Sequence, residues 1–286
     1  MDYRQIRKIA IQAIFSDDVL TSMLVLKGGN ALDVGMNVAS RGSLDIVLST
    51  PGAFDDVADT RMRIFAALKR SYDAHGLVVF DEDFVEIPPD VVDDAMPWWG
   101  GYRVTFKLQS RARHEQLRTR PDKARIEALP IGGAQERTFK IDISKNEYCA
   151  AKESRELDGC AIWVYSPAML AIEKLRAICQ QMPEYEVLKH KRARARDFYD
   201  IHTIVTRLSV DLGTPDSHYI CREIFAAKHV PLRLLARIGD ESTREYHLPD
   251  WPRVVDSVVG RVPAEFDFYF NFTSREAGKL QTLWDE

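Results

Sequence analysis

Two short segments constrain this chain more than any others: LKGGNAL at 26–32 and RGSLDIVLS at 41–49. The first reads as a buried strand, Met23 to Leu26, ending in a Gly28-Gly29 turn that opens a helix. The second reads as a strand over 43–49. There Leu44, Ile46 and Leu48 point one way, and Ser43, Asp45 and Val47 the other. A glycine turn lets backbone approach phosphate closely, and the neighbouring strand presents an acid. Sheet-based enzymes hold a metal–nucleotide complex with such a pairing. Nucleotidyl transfer is therefore the leading expectation from the residues alone.

Composition narrows the alternatives. The 286 residues are 45% hydrophobic and 29% charged, which suits one large globular domain or two modest ones. A net charge of -4 argues against a general nucleic-acid binder and leaves room for a local basic patch. No apolar run approaches the ~20 residues that span a bilayer, so no membrane partner is expected. The opening MDYRQIRKIAIQAIF reads as an amphipathic helix with charges throughout, lacking the apolar stretch of a signal peptide. Cys149, Cys160, Cys179 and Cys221 show no CxxC spacing, and the histidines form no HExxH pattern. Reduced thiols, a cytoplasmic location and no structural zinc are the expectation.

Periodicity predicts helices over 3–15, about 30–38 and roughly 56–74, and strands at 22–26, 43–49 and 77–80. The stretch 81–101, acidic with Pro88-Pro89, Pro97 and Gly100-Gly101, reads as a loop. YRVTFKLQ (102–109) and TFKIDISK (138–145) alternate as strands should, with a charged helix and surface loop over 110–137 between them. After AIWVY at 161–165 the pattern is helical only. The organisation expected is an α/β half, 1–160, followed by a helical half, 161–286.

Three candidate groups carry chemistry, each with a plainer alternative. Asp45 alone would pass for an exposed strand acid, but the Gly28-Gly29 turn fifteen residues earlier favours a site. In FKIDIS, Asp142 lies opposite Phe139, Ile141 and Ile143; if that strand neighbours 43–49, Asp142 and Asp45 can converge on one Mg²⁺. Otherwise it is a solvated acid. Ser166-Pro167 predicts a helix from 167 to about 182. On it Lys174 has apolar neighbours at every i±3 and i±4 position (Leu170, Ala171, Ala177, Ile178), whereas Arg176 has polar ones among its own. Such a lysine either snorkels along apolar surface or points into an anionic site. The helix 193–208 carries Asp197 and Asp200 flanking its packing stripe, where a surface salt-bridge network would account for them. Across 166–207 eight Lys/Arg stand against five acids, so the run LKHKRARAR (188–196) is either a solvated loop or a contact for RNA or triphosphate.

In combination, LKGGNAL (26–32), RGSLDIVL (41–48), KIDIS (140–144) and SPAMLAIEKLRAI…RARDFYDI (166–201) resemble the AbiEii/AbiGii-type nucleotidyltransferases. These are toxins of abortive-infection and type IV toxin–antitoxin systems within the polymerase-β-like superfamily. The resemblance covers about residues 20 to 208. It implies an α+β fold with a mixed sheet, in which an N-terminal nucleotidyltransferase domain is followed by a C-terminal helical domain that completes the active-site cleft. It also implies Mg²⁺ or Mn²⁺ at Asp45 and Asp142, and an NTP held by Lys27, Gly28, Gly29, Ser43, Lys174 and Arg196. Asp142 would help activate the acceptor hydroxyl, and Asp197 would complete the helical side. Implied partners are tRNA or other RNA, a protein hydroxyl as alternative acceptor, and a cognate antitoxin, in a toxin or phage-defence setting.

One position departs from that pattern. The family commonly shows S-x-D-x-D on this strand, and the second acid is Val47 here. The competing expectation is therefore a degenerate relative that binds nucleotide, RNA or a protein without turnover. The aromatic EFDFYFNF at 265–272 reads as core in preference to a docking surface.

Overall fold

The structure, a computed structural model, describes residues 2–38, 45–87, 96, 98–131, 136–258 and 262–285. It divides into two compact units. One is Met1–Gly35 with Ser43–Cys149 and Glu153–Val164; the other is Met36–Gly42 with Ala150–Lys152 and Tyr165–Glu286.

The first unit begins with α1 (Tyr3–Phe15), whose free N–H groups are capped by Asp2, its carboxylate accepting from Gln5 N at 2.7 Å. The predicted stripe Ile6, Ile9, Ala10, Ala13 and Ile14 is buried. A short α2 (Asp18–Met23), capped by Asp17, takes residues assigned from sequence to a strand, so β1 is only Val25–Lys27. The helix expected over 30–38 is instead one α turn, α3 (Gly28–Asn30), followed by a π turn over Ala31–Gly35. The described part of the second motif strand is β2 (Ile46–Ser49). After it come α4 (Val57–Asp73), β3 (Leu77–Ile87) and β4 (Gly101–Ser110). Two short helices, α5 (Arg111–Gln116) and α6 (Pro121–Ile126), lead to β5 (Phe139–Ser144), β6 (Lys152–Leu157) and β7 (Cys160–Tyr165).

These strands form one mixed seven-stranded sheet ordered β3-β4-β5-β2-β1-β7-β6. β2 runs parallel to β5 and antiparallel to β1, and β1 runs parallel to β7. Alternation along β5 divides the sheet. Phe139, Ile141 and Ile143 are buried, with Tyr3 of α1 stacked on Phe139 and Tyr72 of α4 against Phe106 of β4. Lys140, Asp142 and Ser144 lie on the opposite face with Arg103, Thr105 and Lys107 of β4. At the helical face, Tyr72, fully buried, donates its hydroxyl to Ile6 O at 2.9 Å and ties α4 to α1.

One strand and the far half of another escape a reading of the sequence. Residues 81–87, read as an acidic loop, continue β3 past a bulge at Asp81, which sits at φ 53. Their acids have cations waiting: Asp81 pairs with Lys107 and Arg125, Glu82 with Lys69, and Glu86 with Lys145. Pairing with β4 and these contacts outweigh the poor strand preference of Asp and Glu. The unforeseen β6 joins β7 through Asp158-Gly159, both at positive φ, as a two-residue hairpin turn requires.

The second unit is helical, with α7 (Pro167–Cys179), α8 (Ala195–Arg207) and α9 (Pro215–Ala226) packed together. α10 (Glu241–His247), α11 (Trp251–Ser257) and α12 (Phe266–Gly278) follow. The segment 265–272 is core, as expected. Phe266, Tyr269 and Phe270 are buried, with Phe198 5.2 Å from Phe266 and Trp251 5.1 Å from Tyr269; Phe268 faces outward. Arg176, given a polar setting by its sequence neighbours, is buried and donates to Ile224 O at 2.9 Å, linking α7 to α9.

Replacing Tyr72 with Phe removes one buried hydrogen bond while keeping the ring. It should lower the unfolding free energy by about 1 kcal/mol in urea titration; an unchanged midpoint would mean the α1–α4 contact rests on ring packing alone.

Candidate functional site

The register of the sheet sets four side chains in a row on its polar face: Arg103 of β4, Asp142 of β5, Val47 of β2 and Lys27 of β1. Arg103 grips Asp142 with both arms of its fork, Nε to Oδ1 at 2.7 Å and Nη2 to Oδ2 at 3.0 Å. Its hydrogen bonds to Asp142 raise the Arg103 pKa above its ordinary value against partial burial, and the charges of Asp142 and Asp45 add to the effect. Lys27, expected at the nucleotide, is buried and paired with buried Glu147 at 3.2 Å.

Gly28 follows Lys27 at φ +67, a conformation that strains any other residue, and its α-carbon faces Val47. Gly29 continues the turn in α3. Asp45 is exposed just before β2, while Ser43 lies outside the described residues. The Asp45 carbonyl accepts from Asn30 Nδ2 at 2.5 Å, and Asn30 Oδ1 in turn accepts from Arg7 Nη1 at 2.6 Å. Arg7 also pairs with Asp33 at 3.0 Å. A buried polar chain thus runs from α1 through the glycine turn to the backbone of Asp45. Sequence reasoning missed Arg7, Asn30 and Arg103. For Arg7 a signal existed: its i+3 and i+4 neighbours, Ala10 and Ile11, are apolar, as around Lys174.

In the second unit Lys174 does not snorkel. Its ammonium, 10% exposed, donates to Asp197 Oδ1 at 3.0 Å and Asp200 Oδ2 at 2.7 Å, side chains only 1% and 5% exposed. Arg194 Nε holds the other oxygen of Asp197. Burial by itself would raise the Asp197 pKa, but the charges of Arg194, Lys174 and Arg196 hold it well below the usual carboxylate range. The surface network considered for Asp197 and Asp200 is therefore a buried one. Arg194 N–H donates to His247 Nδ1 at 2.8 Å, and burial pushes the His247 pKa down to about 4. In the basic run, Lys191 is spent on the carbonyls of Met182 and Tyr185, whereas Lys189, Arg192 and Arg196 are exposed. Arg194 and His247 had no distinguishing sequence signal.

Asp142 lies on β5 and Asp45 just before the adjoining β2, but the donor set does not fit a site for two divalent ions. Val47 offers no oxygen, and both oxygens of Asp142 already bind a guanidinium. Among the described residues no group of three His, Cys, Asp or Glu side chains gathers where it could hold a metal ion. None of the described helices is long and apolar enough to cross a membrane.

The chain matches the family "Nucleotidyl transferase AbiEii toxin, Type IV TA system" over residues 9–272. Its fold is similar to a crystal structure of a candidate nucleotidyltransferase from H. pylori, at 15% identity and a TM-score of 0.50, covering 99% of this chain and 95% of that one. A crystal structure of JHP933 from Helicobacter pylori aligns at 15% identity and a TM-score of 0.49, covering 99% of this chain and 92% of that one. No curated protein matches the sequence.

Two outcomes follow from the charges of the second unit. Lys174→Met leaves two buried carboxylates short of a cation and should destabilise the protein by about 3–5 kcal/mol in urea titration; a loss below 1 kcal/mol would mean that water reaches the cluster. Between the ordinary histidine value of 6.5 and about 4, the unfolded chain protonates His247 and the folded chain does not. Stability should therefore fall as pH drops through that window. His247→Gln, which keeps an acceptor, should lose a smaller part of its stability between pH 7 and pH 5 than the wild type; equal losses would refute the assignment.

Proposed function

Because the chain belongs to the AbiEii family of nucleotidyltransferase toxins of type IV toxin–antitoxin systems, we propose that it moves a nucleotide from an NTP to a hydroxyl group of RNA. The 3′ end of tRNA is the first candidate acceptor and a protein hydroxyl the alternative. The observation that carries this reading is the pairing of Val47 with Asp142 across adjoining strands, next to the Gly28 turn and with Asp45 just before β2. In the reaction the acceptor oxygen attacks the α-phosphorus, the bond to the bridging oxygen breaks, and pyrophosphate leaves. Catalysis of such a transfer is chiefly positioning and charge neutralisation.

The chain's own residues supply those functions on this reading. Gly28 and Gly29 let backbone approach the triphosphate, with Ser43 assisting. Asp142 is the carboxylate that helps activate the acceptor and takes its hydroxyl proton once an oxygen is released by Arg103, and Asp45 is the carboxylate that would hold a divalent ion. Lys174 and Arg196 supply positive charge for the triphosphate, and Asp197 holds Lys174 in place. The family generally uses a divalent ion with the NTP; Mg²⁺ or Mn²⁺ is the expected ion, and the donor set does not fit a site for two of them. An NTP substrate and an RNA acceptor imply a cytoplasmic toxin, restrained by a cognate antitoxin and suited to phage defence.

A second reading, nucleotide or RNA binding without turnover, is favoured by one observation: Val47 stands beside a carboxylate already occupied by Arg103. Incubation with each α-³²P-NTP, total cellular RNA and Mg²⁺ or Mn²⁺ separates the two. Label on a discrete RNA or protein band, lost in Asp45→Ala and Lys174→Ala, is the expected result. NTP binding with no transfer to RNA or protein would sink the transferase reading and leave the second.

A further inference from the structure

The polar face of the sheet carries a charge arrangement that the transferase reading leaves unused. Asp142 lies between Arg103 on β4 and Val47 on β2. The guanidinium engages both oxygens of Asp142, and its planar fork matches a carboxylate in a way an ammonium does not. Asp45, just before β2, also acts electrostatically on Arg103. The remaining member of the row, Lys27, is already balanced by Glu147. An acid at position 47 would have stood beside Asp142 as a second carboxylate; with valine there, Asp142 keeps Arg103 as its fixed cation.

We propose that Arg103 is the resident counter-cation of this face, occupying Asp142 in place of a divalent ion and so setting how tightly the site takes metal. Val47 and Arg103 are then complementary. The valine removes an oxygen that a second ion would need, and the arginine fills the electrostatic role of that ion with a charge that cannot diffuse away. A divalent ion using Asp142 has to displace a bidentate guanidinium and sit beside its positive charge, which disfavours it. The inference deepens the reading of the same site as a nucleotide site, and its cation part does not depend on turnover.

The test is a titration of the metal-free full-length protein with Mn²⁺, following free Mn²⁺ by electron paramagnetic resonance, with no nucleotide present. Wild type and Arg103→Lys should bind Mn²⁺ weakly. Arg103→Gln, which keeps the length and polarity but removes the charge, should bind it about tenfold more tightly. Adding Asp142→Asn to Arg103→Gln should abolish the gain. Because Arg103 is 40% exposed, the glutamine variant is expected to fold, and its thermal melting checks this. Arg103→Ala repeats the test if glutamine itself binds back to Asp142. Equal Mn²⁺ affinity in wild type and in both neutral variants would overturn the proposal, as would a gain that survives Asp142→Asn. No nucleotide enters the titration, so a failure of the transfer assay leaves its outcome unchanged.

Discussion

Everything on the open side of the sheet depends on β5 being apolar on one face only. Phe139, Ile141 and Ile143 give the strand a reason to lie over α1 and α4, and that choice sends Lys140, Asp142 and Ser144 the other way. A slip of one residue would bury Asp142 under Tyr3 and expose Ile141, so burial pins the register as firmly as the hydrogen bonds do. Once β5 is fixed, β2 on one side and β4 on the other place Val47 and Arg103 beside Asp142 with no further choice. The glycine turn, one residue beyond Lys27, is located by the same pairing through β1.

The two units solve the problem of holding charge inside a protein in the same way. Lys27 with Glu147, and Lys174 with Asp197 and Asp200, are buried cations met by carboxylates at hydrogen-bonding distance. Such groups add little net stability over a well-packed apolar core, yet removing one member is costly because its partner stays behind uncompensated. They therefore specify geometry more than they stabilise. Lys174 is fixed by two aspartates one helical turn apart on α8, and Asp197 is fixed in addition by Arg194. The chain from Arg7 through Asn30 does the same for the backbone at Asp45.

Local periodicity carried most of the architecture into the sequence. The alternation of β4 and β5, the apolar stripe of α1, and the Ser166-Pro167 start of α7 each read directly. Lys174 stood out because all its helical neighbours are apolar, and its burial follows from that. Arg103 stayed invisible, and Asp200 passed for a surface acid, for one physical reason: their partners lie 39 and 26 residues away, brought together by strand register and helix packing that no local window contains. β3 beyond Phe80 was lost because its acids argue against a strand until their lysine and arginine partners are in place. The helix expected over 30–38 was over-read from apolar spacing, since one turn of α-helix leads straight into a π turn.

Arg103 and Lys174 are thus each already engaged by carboxylates. An anion that takes over either cation gains only the difference between its own interaction and the one it displaces, so its gain depends on how easily that pair opens. Arg103 is 40% exposed and held by one carboxylate, 28% exposed itself, so solvent can take over that carboxylate cheaply if the guanidinium turns to a phosphate. Lys174 is in the opposite position: leaving Asp197 and Asp200 would strand two buried charges, a cost that surface pairs do not carry. Of these two cations the arginine on the sheet is therefore the adaptable one, and the lysine is a fixed charge.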